Sequence, residues 1–304
     1  MPSSEPAKLR AIGVLVAFDT LRDPFAGIDD VLAVIDHVMV VDNTSEGHPA
    51  LVSIVGKPRV SVIDNRNVGG LAGAYNAALS RIDTDHPQAT HVLFLDDDTD
   101  TGALDAFLAS DVTRDAASRS DVAAVAPAYV DRETGLRGTH IRLHALYYEV
   151  VPREVRQPTS VSFLINSMSL WRLDAIRRIG TYNTKLKVDH VDTDYCLRAA
   201  AENFILILNP MVTFVHSIGK RKKYRIMGKT LQSGGHNSQR REMIARNTIL
   251  LARHYLGRFP SFTVLCFVRI VYEVLGIVMA ENNRLSKLLA ITKGVVIGLV
   301  TRYA

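Results

Sequence analysis

Short apolar runs closed by an acid or a turn recur through the first half of the chain, and stretches with helix-spaced apolar positions lie between them. Ile12 to Phe18, His37 to Asp42, Val60 to Asp64 and His91 to Leu95 are short and rich in β-branched residues, the pattern of strands buried in a parallel sheet. Ile28 to Ile35 and Gly70 to Ile82 read as the intervening helices, so the order predicts an α/β fold with a mostly parallel sheet flanked by helices. Ligands of such sheets bind beyond the carboxyl ends of the strands. Three of the four ends carry acids: Asp42, Asp64 and Asp96.

Farther along, Val122 to Ala126 predicts a strand and the polar stretch Asp131 to His144 a hairpin or loop. Ser160 to Trp171 reads as a further strand, Leu173 to Ile179 as a short helix, and Asp192 to Ala201 as a helix entered from a loop. A boundary is expected near residue 217, where the mixed pattern gives way to a basic, mainly helical tail. Phe262 to Ala280 and Leu288 to Val300 are strongly apolar, but Arg269 and Glu273 interrupt the first and Lys293 the second. Both therefore read as amphipathic or core helices. They equally offer a face to a second subunit in a homo-oligomer.

The composition, 304 residues of which 47% are hydrophobic, supports one large core or a catalytic domain with an appended module. Cys196 and Cys266 stand far apart, which argues against a disulfide framework or a thiolate zinc site. No secretory signal pattern opens the chain, and a cytoplasmic setting is expected. The net charge of +5 is uneven: between Ser217 and Arg258 eleven Lys and Arg face the single acid Glu242. That segment suits phosphates of a donor, an anionic inner membrane surface or a nucleic acid, the plain alternative being a solvated basic face. No helix-turn-helix, RNP or zinc-finger pattern accompanies it, so a non-enzymatic nucleic-acid or membrane-binding protein built on this basic region is a distant reading and nucleic acid is not an expected partner.

The run Asp96-Asp97-Asp98 closes an apolar strand, where three adjacent carboxylates repel one another unless a cation compensates. Alternation along an extended chain turns Asp96 and Asp98 one way and Asp97 the other, and such hard oxygen ligands suit Mg2+ or Mn2+. The competing reading is an acidic turn, with Thr99 or Asp100 capping the next helix. Asp189, Asp192 and Asp194 precede Arg198 by a few residues. They are either helix-dipole partners or a firmly held carboxylate able to act as a general base. The segment from Asn67 through Gly69 and Gly70 to Asn76 puts glycines before a helix, yet fits neither a dinucleotide fingerprint nor a P-loop. His216 closes the apolar run Met211 to Val215 and by itself reads as a structural strand-end histidine.

Taken in order, Val40-Val41-Asp42-Asn43-Thr44-Ser45, the Asn67-to-Asn76 segment, Leu95-Asp96-Asp97-Asp98, Val191-Asp192-Thr193-Asp194-Tyr195-Cys196-Leu197-Arg198 and His216-Ser217-Ile218-Gly219 resemble glycosyltransferase family 2. The likeness is to its rhamnosyltransferase and galactofuranosyltransferase members. The resemblance covers about residues 12 to 250 and implies a GT-A type fold: a catalytic domain over 1–216, its donor-binding half about 1–130 and its acceptor-binding half about 131–216, followed by a basic helical region over 217–304. It implies Asp42 at the nucleobase, Phe18 against the base, and Asn67 and Gly70 lining the donor site. Asp96 would contact the nucleoside, and Asp98 with His216 would hold the metal, Mn2+ or Mg2+. Asp97 is counted with the nucleotide-sugar residues without a distinct role, and Asp192 is the implied base.

The implied reaction is an inverting transfer, rhamnose from dTDP-rhamnose to a polysaccharide or lipid-linked glycan being favoured and galactofuranosyl or other hexosyl transfer from a UDP-sugar the alternative. The basic tail and apolar helices add a peripheral position on the inner face of the cytoplasmic membrane. Two departures from the family pattern stand out. Ala17-Phe18-Asp19 replaces a Tyr-Asn type pair, and Val191-Asp192 replaces Glu-Asp, which leaves Asp189 and Asp194 as alternative bases.

Overall fold

The computed structural model describes residues 9–18, 23–217, 222–226 and 229–303. The chain runs β1 (Ala11–Ala17), α1 (Ile28–Val34), β2 (His37–Asp42), β3 (Val60–Asp64), α2 (Gly70–Asp85), β4 (His91–Asp96), α3 (Leu104–Ala109), α4 (Asp111–Ser118) and β5 (Val122–Asp131). There follow β6 (His140–Leu143), β7 (Tyr148–Val151), β8 (Thr159–Val161), β9 (Ser169–Arg172), α5 (Leu173–Ile179), α6 (Val191–Ala201) and β10 (Ile205–His216). Last come β11 (Lys222–Ile226), β12 (Lys229–Ser233), α7 (Ser238–Tyr255), α8 (Pro260–Ala280) and α9 (Arg284–Val300).

Eight strands form one sheet in the order β3-β2-β1-β4-β9-β5-β10-β8. The first four are mutually parallel, as their continuous apolar runs require, with β1 and β4 buried almost throughout and β3 half-exposed at the edge. β9 runs antiparallel to β4 and to β5, so β5 shares the direction of the parallel set. Helices flank the sheet, giving the α/β architecture expected.

Two compact units result. The first holds the described residues up to Val130 with Arg137–His140 and Val151–His216, and contains the whole eight-stranded sheet but for the last residue of β5. The second gathers Asp131–Leu136, Ile141–Val150 and the described residues from Ser217 onward.

Two local expectations need correction. Ser160 to Trp171 is not one strand: β8 and β9 are separated by a turn in which Met168 has φ +56° and the Ser169 N–H closes on the Asn166 carbonyl at 2.9 Å. The apolar spacing hid the break because Leu164 and Met168 are buried as strand residues would be, while Asn166 and Ser167 turn toward carboxylates. The tail is mainly helical as expected, its start excepted, where β11 and β12 pair as an antiparallel ribbon before α7. The polar stretch after β5 does form hairpin structure, with a turn at Asp131 whose Oδ1 accepts from the Thr134 N–H at 2.8 Å, followed by the β6–β7 pair.

Candidate active site

Register places the acids of the parallel strands level with one another. Asp96 lies beside Val16, and Ala17, Asp42 and Asp64 pair across successive strands, so the three carboxylates line the carboxyl edge of the sheet. Their surroundings differ. Asp42 is buried and faces its own loop: Oδ1 accepts from the Thr44 N–H (3.0 Å) and hydroxyl (2.6 Å), and Oδ2 from the His48 N–H (2.9 Å). It shapes the loop after β2. Asp64 is exposed and pairs with Arg66 at 2.8 Å.

Beyond β4 the acidic run divides as alternation requires. The Asp97 carboxylate turns to the end of β1 and accepts from the Phe18 N–H at 3.2 Å. Burial, aided by Asp98 and Asp96, pushes it up to about 6 against that hydrogen bond. Asp96 and Asp98 turn the other way and converge with His216 from the end of β10, one ligand atom of each lying within 4.8 Å of the others. His216 Nδ1 stands 4.0 Å from Asp98 Oδ1 and is buried without a hydrogen-bond partner among the described residues. Two carboxylates facing an unsatisfied imidazole nitrogen are a donor set that a divalent cation satisfies. Capping falls to the neighbours, Asp100 Oδ1 accepting from the Gly102 N–H (3.0 Å) and Thr99 Oγ1 from the Asp96 N–H (2.8 Å). The capping and metal readings of this run therefore concern different residues.

Asp96 is half-buried, and its desolvation raises the carboxyl above the ordinary range, opposed by the Ser167 hydroxyl, His216 and the Tyr75 hydroxyl. Asp192, in the first turn of α6, lies close enough to feel its charge: burial first and Asp96 second push it up to about 7. Asp192 Oδ2 accepts from the Asn166 N–H at 3.2 Å, while Oδ1 is buried with no hydrogen-bond partner among the described residues. Such a carboxyl is poised to take a proton near neutrality. Arg198 does not hold it: its guanidinium donates to the carbonyls of Thr181 (2.5 Å) and Ile179, fastening the chain before α6. Of the other two acids, Asp194 is buried in the first turn of α6, and Asp189 has one buried carboxylate oxygen just ahead of that helix.

The remaining positions are structural in a specific way. Asn67 (φ +57°) accepts from the Asn43 side chain at 3.3 Å, and Asn65 donates to Asn43 at 2.6 Å, tying the ends of β2 and β3 together. Gly70 (φ +65°) opens α2 against the segment before α6, where an added Cβ would stand 2.6 Å from the Lys187 carbonyl oxygen. Phe18 is 47% exposed beside Asp97, its ring available to a flat ligand.

Three residues were not singled out by their sequence: Tyr75, Asn166 and Ser167. Tyr75 is buried beneath Asp96 and starts an aromatic ladder through Phe94 (4.7 Å) and Tyr182 (5.0 Å), with Tyr182 stacked on Tyr195 (3.8 Å). The Asn166 amide donates to the Tyr182 hydroxyl at 3.3 Å. The polar pair Asn166-Ser167 inside an apolar run was the available signal.

The architecture is that of GT-A type proteins. It is similar to the crystal structure of GalNAc-T7 with UDP, GalNAc and Mn2+, with a TM-score of 0.53 at 11% identity over 78% of this chain and 47% of that one, a likeness of fold alone. Residues 27–180, half of the chain, match the family described as Glycosyl transferase family 2, and the protein belongs to that family. It is also 27% identical over 129 residues to the dTDP-rhamnosyl transferase RfbF of Shigella flexneri, a stretch that is 42% of this chain and 43% of that relative. The matched part thus spans less than half the length of either relative.

Proposed function

We propose that the protein is an inverting, metal-dependent glycosyltransferase that moves rhamnose from dTDP-rhamnose to a hydroxyl of a growing polysaccharide or lipid-linked glycan. The observation that carries this reading is Asp192, a half-buried carboxyl whose buried Oδ1 has no hydrogen-bond partner among the described residues, raised to about 7 beside the Asp96, Asp98 and His216 cluster. Asp192 Oδ1 takes the proton of the acceptor hydroxyl as that oxygen attacks the anomeric carbon. The bond from that carbon to the diphosphate breaks on the opposite face, inverting the configuration. Asp98 and His216 would hold a Mn2+ or Mg2+ ion, which would supply neutralising charge for the departing nucleoside diphosphate. Asp96 reaches the nucleoside, steadied by Ser167 and Tyr75. Phe18, anchored by Asp97, lies against the base.

Asp42 serves the base pocket through the loop it holds, and Asn67 and Gly70 set the donor wall. The donor-binding half is then about 1–130 and the acceptor-binding half about 131–216. Likeness to RfbF supports the rhamnose donor. Transfer from a UDP-sugar is the second reading, supported by the Asp triplet shared with galactofuranosyltransferases and by the UDP and Mn2+ of GalNAc-T7.

A thermal-shift panel of nucleotide sugars with Mn2+ or Mg2+ tests this. At about 100 times its Kd, the cognate donor stabilises by about 2.7 kcal/mol, an upward shift of several degrees. The expected responder is dTDP-rhamnose. A response confined to UDP-sugars establishes the second reading, and silence across the panel overturns both.

A further inference from the structure

Helix α8 turns an apolar stripe outward along its whole length. Val264, Phe267, Val268, Val271, Leu275 and Val278 recur at the three-and-four spacing of one helix face, each between 41% and 68% exposed. α9 repeats the pattern with Leu285, Leu289, Val296 and Leu299, exposed by 52% to 72%. The α8 stripe is continuous, that of α9 being interrupted at Thr292, and a stripe of this length differs from the single apolar residues scattered over any protein surface.

The other side of α8 is anchored. Ile277, with Ile270 and Val274 beside it, packs on Ala245 of α7 and Ile291 of α9. Glu273 pairs with Arg241 of α7, which also pairs with Glu281 at 2.5 Å, and Glu281 in turn holds Lys287 at 2.6 Å. The side chains of Arg241 and Glu281 are each 1% exposed.

Charge and geometry select the occupant of the outward face. From Ser217 onward the chain carries sixteen Lys and Arg against three Glu, whereas the residues before it carry twenty against twenty-eight acids. All three glutamates are engaged among the helices, by Arg241, Lys287 and Lys293. A second copy laid on the same face would bring two strongly basic segments together, while an anionic lipid surface neutralises them.

By length and composition α8 could cross a bilayer: its 21 residues reach about 31 Å, close to the hydrocarbon thickness. Threading it through would tear Glu273 and Glu281 from the buried Arg241 and leave uncompensated charge. On a bilayer the helix would therefore lie along the surface, not across it.

We propose that the outward face of α8, extended by α9, docks on an anionic bilayer with the stripe in the acyl boundary, whichever sugar the protein moves. The test is co-sedimentation with vesicles of phosphatidylglycerol and phosphatidylcholine, against vesicles of phosphatidylcholine alone. The protein is expected to sediment with the anionic vesicles, at least about tenfold more weakly with neutral ones, and to be released by alkaline carbonate. Phe267→Glu combined with Leu275→Glu, both at exposed positions, is expected to weaken anionic-vesicle binding at least about tenfold with circular dichroism unchanged. Should that pair unfold the protein, Phe267→Ser alone carries the same comparison, with a severalfold loss expected. Vesicle binding that is unaltered in a folded variant, equal on neutral vesicles, or resistant to carbonate overturns the proposal. So does a protein that ignores vesicles and forms a dimer that Phe267→Ser dissociates.

Discussion

The main-chain N–H of Asn166 donates to Asp192 Oδ2 at 3.2 Å and leaves Oδ1 of that carboxylate buried without a partner among the described residues. One oxygen fixes the orientation and the other is available to a substrate proton. Asp192→Asn preserves shape and the Asn166 contact but removes the proton acceptor. Its transfer rate should fall about 10²–10⁴-fold with donor affinity near normal, measured by turnover alongside calorimetric titration of the donor. Retained turnover would move the base to Asp189 or Asp194.

The same carboxyl should titrate visibly. In the ion-free protein its proton is held to about 7 by burial and by Asp96, so carboxyl NMR should show one aspartate with a midpoint near that value that vanishes in Asp192→Asn. A cation facing Asp96 offsets its negative charge, and added Mg2+ should move the midpoint downward. A midpoint in the ordinary carboxylate range without the ion would contradict the burial on which the assignment rests.

Asp97 anchors Phe18 through a backbone hydrogen bond, so its role depends on accepting and not on charge. Asp97→Asn keeps an acceptor oxygen and should bind donor almost as the parent does. Asp97→Ala should bind it several-fold more weakly, because the end of β1 loses its tether. Equal affinities in the two variants would sever Phe18 placement from Asp97.

Gly70 combines φ +65° with backbone contact at Lys187, where a Cβ would meet the carbonyl oxygen at 2.6 Å and Cα at 2.8 Å. Gly70→Ala should destabilise the protein by at least about 2 kcal/mol in urea unfolding, since neither the left-handed conformation nor the rigid neighbour can yield cheaply. A change below about 0.5 kcal/mol would show that the segment before α6 moves freely.

Much of this arrangement is legible along the chain. β2 and β3 end where their apolar runs meet Asp42 and Asp64, because a strand buried on both faces leaves an unambiguous signal. Asp96, Asp98 and His216 stand out as a strand-end acid run and a strand-end histidine, and the fold brings them together. Asn166 and Ser167 do not stand out, because their meaning lies in partners 26 and 71 positions away, and Tyr75 matters only through Asp96 on the neighbouring strand; each sits inside an otherwise apolar stretch. Arg198 shows the same limit. Helical spacing set it near Asp194, yet its guanidinium satisfies carbonyls before the helix. The outward face of α8 was equally hidden, since the sequence reports its apolar residues but not which of them the protein covers.

In the proposed function donor binding turns on the Asp96, Asp98 and His216 cluster, and Asp98→Ala with His216→Ala addresses it without assuming an acceptor. The most direct measurement is the thermal shift of the parent and each variant with dTDP-rhamnose and with UDP-sugars, in Mn2+ and in chelator. The parent should be stabilised by its donor only when the ion is present, and both variants should lose that response while keeping their unliganded melting temperature within a few degrees. Donor stabilisation that persists in chelator, or that survives Asp98→Ala and His216→Ala, would contradict a metal-assisted site at the end of β4.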